Sequence, residues 1–224
     1  MSFKSYKHYR EAEEELCRRI VTSPQFITSS TFEILGTGFV LTEPWNNKNG
    51  HSNYEYAEEF FKWMMTGEKD LSKELLRLNP WVKRFVDTTG LPETFSTSYG
   101  WKIKSQIEGI ILELKKFSES RRAYFNILTV EDKKVIELPK STMEYPCTIG
   151  VHLFIRDGHL HMIVNMRSNN VYSVMPYDVY NFTCLQFNLA DKLDIPMGTY
   201  THQINSAHLY KGDVRRLKEL YYAK

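Results

Sequence analysis

Cysteine is scarce. Only Cys17, Cys147 and Cys184 occur in 224 residues. The number is odd, no pair forms CxxC, and no spacing suits a metal, so the chain reads as neither a disulfide scaffold nor a thiolate metal site, and a reducing compartment is expected. Long apolar runs are lacking too: none approaches the ~20 residues of a membrane-spanning helix. The polar N-terminus MSFKSYKHYREAEEELC has no hydrophobic secretory core. Charge of one sign is not in excess. Lys and Arg number 29 against 27 Asp and Glu, a net +2, which implies no general affinity for polyanions and hence no nucleic-acid partner. There is no internal repeat and no low-complexity stretch. A soluble, cytoplasmic protein with no membrane partner and one domain over residues 1–224 is expected.

What is present suits a sizeable core: 42% hydrophobic and 14% aromatic residues. Apolar periodicity predicts helices over 5–21, 54–65, 71–78 and 105–117, one starting at Asp178, and a last one over 213–222. Gly67 and Asn79-Pro80 are stop signals, and residues 81–86 add a helical turn. Strands are expected over 31–41, bent or bulged at Gly36-Thr37-Gly38, over 121–129, and over 200–205 leading into 206–210. Residues 88–92 read as a loop. The order predicts an α+β fold, an α/β sandwich in which helices pack on a mixed β-sheet.

The most informative stretch is 145–182. Strand-like runs over 148–155 and 160–166 flank Asp157-Gly158, the signature of a two-residue type I′ hairpin turn. Counting outward pairs Arg156 with His159 and Cys147 with Ser168, unless a bulge shifts the register by one. The hairpin thus gathers Cys147, Arg167 and Ser168 at its open end. A neighbouring guanidinium lowers a thiol pKa toward the nucleophilic thiolate. Taken alone, Cys147 reads equally as a small buried hydrophobe.

Tyr145-Pro146-Cys147, Asn165-Met166-Arg167-Ser168-Asn169, Met175-Pro176-Tyr177-Asp178 and Ser206-Ala207-His208-Leu209-Tyr210 resemble segments of the thymidylate synthase and pyrimidine hydroxymethylase family. Tyr99-Gly100-Trp101 and Ser120-Arg121-Arg122 do so too, in the same order. The resemblance implies a thymidylate synthase-like fold and a homodimer with shared active sites. The implied substrate is a pyrimidine nucleoside monophosphate and the implied cofactor 5,10-methylenetetrahydrofolate. Cys147 matches the nucleophile that adds to carbon 6 of the base, a case of covalent catalysis. Arg167 and Ser168 match phosphate contacts, and Arg121 and Arg122 match a pair that reaches the partner's nucleotide. His208 and Tyr210 match the groups that bind the sugar hydroxyl. Tyr99 and Trp81 match positions near the base and the folate.

Asp178 stands where thymidylate synthases have asparagine and deoxycytidylate hydroxymethylases have aspartate. The resemblance is therefore closest to a deoxycytidylate 5-hydroxymethyltransferase, an activity suited to nucleotide modification in phage-infected cytoplasm. A carboxyl group can accept from cytosine's amino group and, when protonated, donate to its ring nitrogen. The other reading of Asp178 is a helix N-cap. Methyl transfer, or nucleotide binding without the folate reaction, are the rival functions. Three departures motivate the last. Phe60 occupies the family's glutamate position, so a helix bulge is needed to bring Glu59 into the site. Asn170 replaces a folate-contacting aspartate. The sequence to Lys224 holds little of the tail that closes over folate in longer relatives.

Overall fold

The computed structural model describes residues 3–46, 53–85, 99–132 and 145–222. Eight strands form one mixed sheet in the order β1-β3-β8-β6-β5-β4, with β2 beside β3 and β7 beside β8. The strands are β1 Lys4–Tyr6, β2 Phe26–Ile27, β3 Thr31–Leu41, β4 Tyr124–Asn126, β5 Thr148–Arg156, β6 His159–Met166, β7 Asn169–Asn170 and β8 Met197–Tyr210. The helices are α1 Tyr9–Thr22, α2 Tyr54–Thr66, α3 Lys73–Leu78, α4 Tyr99–Lys116, α5 Met175–Leu193 and α6 Lys211–Tyr222. The α+β expectation holds.

Alternation along the strands decides which face is covered. Val151, Leu153, Met162, Val164, Met166, Tyr200 and Ile204 are fully buried, in one cluster with Leu16 and Ile20 of α1, Ile103 and Leu114 of α4, and Phe182 and Leu185 of α5. The opposite phase, His152, Phe154, His161, Ile163, Asn165, Thr201 and Val40, is only half-buried. Among the described residues, no helix core covers that face.

Several expectations shift. The first helix was expected from residue 5, but Lys4–Tyr6 pairs in parallel with Phe39–Leu41 and the helix starts at Tyr9. Gly36 takes φ 62°, yet pairing to β8 runs from Leu35–Ser206 to Thr37–Ile204 without a register shift, so there is no bulge. Helix α4 begins six residues before the expected start, at Tyr99. Gly100 in its first turn lets α4 approach α2 closely, because a Cβ there would lie 2.3 Å from the Met64 carbonyl oxygen. The strand expected over 121–129 is paired only at Tyr124–Asn126 and gives way to a 3₁₀ turn at Val130–Asp132. The predicted strand at 200 opens at Met197. The 88–92 loop lies outside the described residues, as does Val86 of the expected turn, whose described part is the 3₁₀ helix Pro80–Phe85.

Candidate active site

The hairpin forms as expected at its tip and differs at its open end. Asp157 and Gly158 take φ 49° and 72°, and Arg156 pairs with His159. The register then slips by one between Thr148 and Gly150. The expected pairing of Cys147 with Ser168 is therefore replaced: Arg167 N–H donates to the Cys147 carbonyl at 2.8 Å. The bulge sets the arginine, rather than the serine, directly against the cysteine.

Arg167 is held from behind. Its Nε donates to Pro146 O at 2.8 Å and its Nη2 to Tyr145 O at 3.0 Å, and its guanidinium lies over the Tyr145 ring at 4.8 Å. Nη2 also lies 3.7 Å from Cys147 Sγ. Nη1 bonds to none of the described residues, so its two N–H groups can meet a phosphate bidentately with a neighbouring donor. The thiolate expectation needs correcting. Burial pushes the Cys147 thiol above its ordinary value, and the Arg167 charge only partly opposes this.

Tyr99 fixes the cysteine backbone. Its phenol accepts from Cys147 N at 3.2 Å and from Thr148 N at 3.1 Å, and its ring stacks on Phe182. Ser168 Oγ lies 3.3 Å from His208 Nδ1. His208 and Tyr210 share a face of β8, with ring centroids 5.5 Å apart. Burial lowers the His208 pKa, which favours the neutral imidazole.

Asp178 is not a helix cap. Helix α5 starts at Met175 with Val174 in the cap position, and Asp178 already sits within the first turn. Its Oδ2 accepts from Asn169 Nδ2 at 2.7 Å. The residue keeps some surface, but its carboxyl is enclosed by protein, and desolvation pushes its pKa up to about 7 against the Asn169 hydrogen bond. Sequence reasoning missed Asn169 and the chain behind it. The signal was available: His202 and Tyr200 lie in the buried phase of β8, where a histidine needs a partner.

The other expected site residues lie elsewhere or are committed otherwise. Arg122 is exposed and paired with Glu113, at 2.9 Å, and its guanidinium lies 5.6 Å from the Phe117 ring centroid. Arg121 is exposed beside it, its carbonyl 3.0 Å from His152 Nε2. The bulge invoked for Glu59 is absent, because α2 is a continuous α-helix over Tyr54–Thr66. Phe60 packs with Tyr56, Trp63 and Tyr177. Glu59 is half-buried beside it. Trp81 is 63% exposed on the 3₁₀ turn.

A reduced pterin presents a flat face and a carbonyl acceptor. Trp81 offers an exposed indole. Asn170 accepts with Oδ1 from Tyr172 N and Ser173 N, leaving a buried Nδ2 without a partner among the described residues. That donor polarity fits the pterin's acceptor edge, where an aspartate would have addressed its N–H groups.

A cysteine beside a pinned guanidinium, within electrostatic reach of a buried carboxyl, suits covalent catalysis on an anionic ligand. The chain belongs to the thymidylate synthase family, whose model matches residues 38–222. It is 29% identical over 87% of its length to a thymidylate synthase of Clostridium beijerinckii, spanning 67% of that protein. It is 25% identical over 84% of its length to a putative thymidylate synthase of Methanococcoides burtonii, spanning 78% of it. It spans 55% of a Symbiobacterium thermophilum thymidylate synthase, at 29% identity over 72% of its own length. The fold matches thermostable thymidylate synthase A from Bacillus subtilis with a TM-score of 0.73, at 16% identity, covering 94% of this chain and 82% of that one.

Proposed function

We propose that this protein is a deoxycytidylate 5-hydroxymethyltransferase. The observation that carries the base assignment is Asp178, a carboxyl raised to about 7 whose one oxygen is already occupied by Asn169. Near neutral pH a large fraction of it is protonated, so it can donate to the cytosine ring nitrogen and accept from the amino group. Uracil, with a ring N–H, presents the wrong polarity to that donor.

Arg167 Nη1, Ser168 and the β8 pair His208 and Tyr210 bind phosphate and sugar, which brings carbon 6 to Cys147. The thiolate attacks, and the electron pair of the 5,6 double bond moves to carbon 5. Methylenetetrahydrofolate, when bound through Trp81 and Asn170, supplies the one-carbon unit. Tyr99 holds the Cys147 backbone still while the sulfur forms and later breaks its bond to carbon 6. Arg167, pinned by Tyr145 and Pro146, keeps its charge near the sulfur throughout.

The test is mass spectrometry of the product from deoxycytidylate and the folate. A gain of one CH2O unit is expected. A gain of CH2 alone would mean methyl transfer, and turnover of deoxyuridylate in preference would sink the base assignment. One observation favours a second reading, a nucleotide-binding protein without the folate reaction: Phe60 is locked among aromatic rings where the proton-handling glutamate is expected. Exchange of the carbon-5 hydrogen without any folate-dependent turnover would support that reading.

The half-buried sheet face supports assembly as a homodimer. Arg121 and Arg122 leave β4 at its edge, with the Arg121 carbonyl against His152 of that face. In such a dimer Arg121 and Arg122 would serve the partner's nucleotide, the role that the family resemblance implies for them.

A further inference from the structure

Behind Asp178 runs a chain of hydrogen bonds that no step above uses. Asn169 Nδ2 donates to Asp178 Oδ2 at 2.7 Å, and Asn169 Oδ1 lies 2.9 Å from His202 Nε2. His202 Nδ1 lies 2.8 Å from the Tyr200 hydroxyl. Asn169, His202 and Tyr200 are 2%, 0% and 0% exposed, shielded from bulk solvent. His202 also stacks against Phe39, ring centroids 5.4 Å apart, which leaves its ring nitrogens no other direction.

Such a chain has two possible polarities, and its far end selects between them. In the first, Tyr200 O–H donates to His202 Nδ1. His202 must then carry its proton on Nε2 and donate to Asn169 Oδ1, and Asn169 must present its NH2 group to Asp178. In the second, every bond reverses and the Tyr200 proton needs another acceptor. Among the described residues it has none but His202. A buried donor without a partner is strongly disfavoured, so the first polarity wins.

We infer that Asn169, His202 and Tyr200 are positioning residues that fix the polarity of Asp178, so that base choice belongs to a four-residue chain rather than to one side chain. This rests on the reading that Asp178 meets the base. With Oδ2 committed as an acceptor, the acid proton sits on Oδ1, the oxygen left to face a nucleotide. That oxygen donates to a ring nitrogen, as cytosine requires. Under the reversed polarity the proton points at Asn169 and Oδ1 can only accept, as uracil's N–H requires. The Asp178 charge is felt by Tyr9 of α1, Tyr56 of α2, Tyr99 of α4, Cys147 and Tyr200, all of them neutral acids whose pKa is raised. No cation among the described residues competes for control of its proton.

The experiment measures dissociation constants of deoxycytidylate and deoxyuridylate by calorimetry, which needs no turnover. Tyr200→Phe keeps the ring and removes the terminal donor, so both polarities become populated. Affinity scales with the competent fraction, so deoxycytidylate should weaken about twofold while deoxyuridylate strengthens about tenfold. Equal weakening of both nucleotides would mean a merely structural role and overturn the inference. Asp178→Ala is the reference: it removes the group that the chain orients, so it should reduce the preference for deoxycytidylate, and Tyr200→Phe added to it should move the ratio no further. If Asp178→Ala reduces the preference and Tyr200→Phe does not, the chain has no say and the base reading stands. If Asp178→Ala shifts nothing, both fall. A second measurement uses the unaltered protein. Nitrogen-15 NMR should show His202 neutral with its proton on Nε2, and a proton on Nδ1 would overturn the polarity directly.

Discussion

Cys147 is under two opposed influences, burial raising its pKa and Arg167 lowering it, with burial the larger. The thiolate fraction therefore keeps growing with pH beyond the range of an ordinary cysteine, and alkylation by iodoacetamide should follow it. Arg167→Ala removes the opposing charge, so at pH 8 its alkylation should be slower, by roughly tenfold for each unit of further rise. Faster alkylation in that variant would show that the guanidinium shields the sulfur instead of activating it. At Asp178, with a pKa of about 7, the protonated form is lost as pH rises through neutrality. Deoxycytidylate affinity should weaken above pH 7, and Asp178→Asn should lose that dependence. Asp178→Ala should reduce the kcat/KM preference for deoxycytidylate over deoxyuridylate by on the order of 100-fold, because cytosine's groups are then left unpaired in the site.

The hairpin shows what local rules can and cannot convey. Asp157-Gly158 made its turn legible, since few other dipeptides accept two positive φ angles. Helix α2 was legible from its aromatic stripe and from Gly67, which ends it at φ 75°. The slip between Thr148 and Gly150 was not, because it depends on contacts distant in sequence: Gly150 must be bare to pass Tyr124, whose hydroxyl would lie 2.4 Å from a Cβ there. Strand β1 was hidden for a similar reason, its three residues having no partner until residues 39–41 arrive. In the site, resemblance pointed to Cys147, Arg167 and Asp178; a histidine in the buried phase of β8 signalled that His202 needs a partner, but that Asn169 is this partner is visible only once two strands lie side by side. Helix α4 is anchored by one buried ion pair. Lys102 Nζ lies 2.7 Å from both Asp132 oxygens, and the two side chains are 4% and 5% exposed. Asp132→Ala should cost about 3–5 kcal/mol in urea unfolding by stranding the ammonium, while Lys102→Met with Asp132→Leu should cost far less.

Among the described residues, one face of the sheet is covered by helices and the other is only half-buried, and the arginine pair lies beside that second face. A homodimer through that face predicts complementation: mixing Cys147→Ala chains with Arg122→Ala chains should restore part of the activity, since one site of each heterodimer has both residues. Ile163→Asp, in the middle of the face, should yield monomers by analytical ultracentrifugation, and dimers persisting there would place the contact elsewhere. The buried chain behind the base site has a different consequence, for the number of protons exchanged on folding. Asp178 rises from 3.8 to about 7, so between those values the folded state takes up a proton and loses stability as pH rises. His202 falls from 6.5 to about 3, so between those values the folded state sheds a proton and gains stability as pH rises. From about 4 to 6.5 the two slopes oppose each other, with His208, also lowered, adding to the His202 side. Proton uptake at Asp178 should thus offset part of the release at the two histidines across that window, as calorimetry in buffers of different ionisation enthalpy can measure. Relative to the unaltered protein, stability of Asp178→Asn should climb more steeply with pH, and that of His202→Gln less steeply.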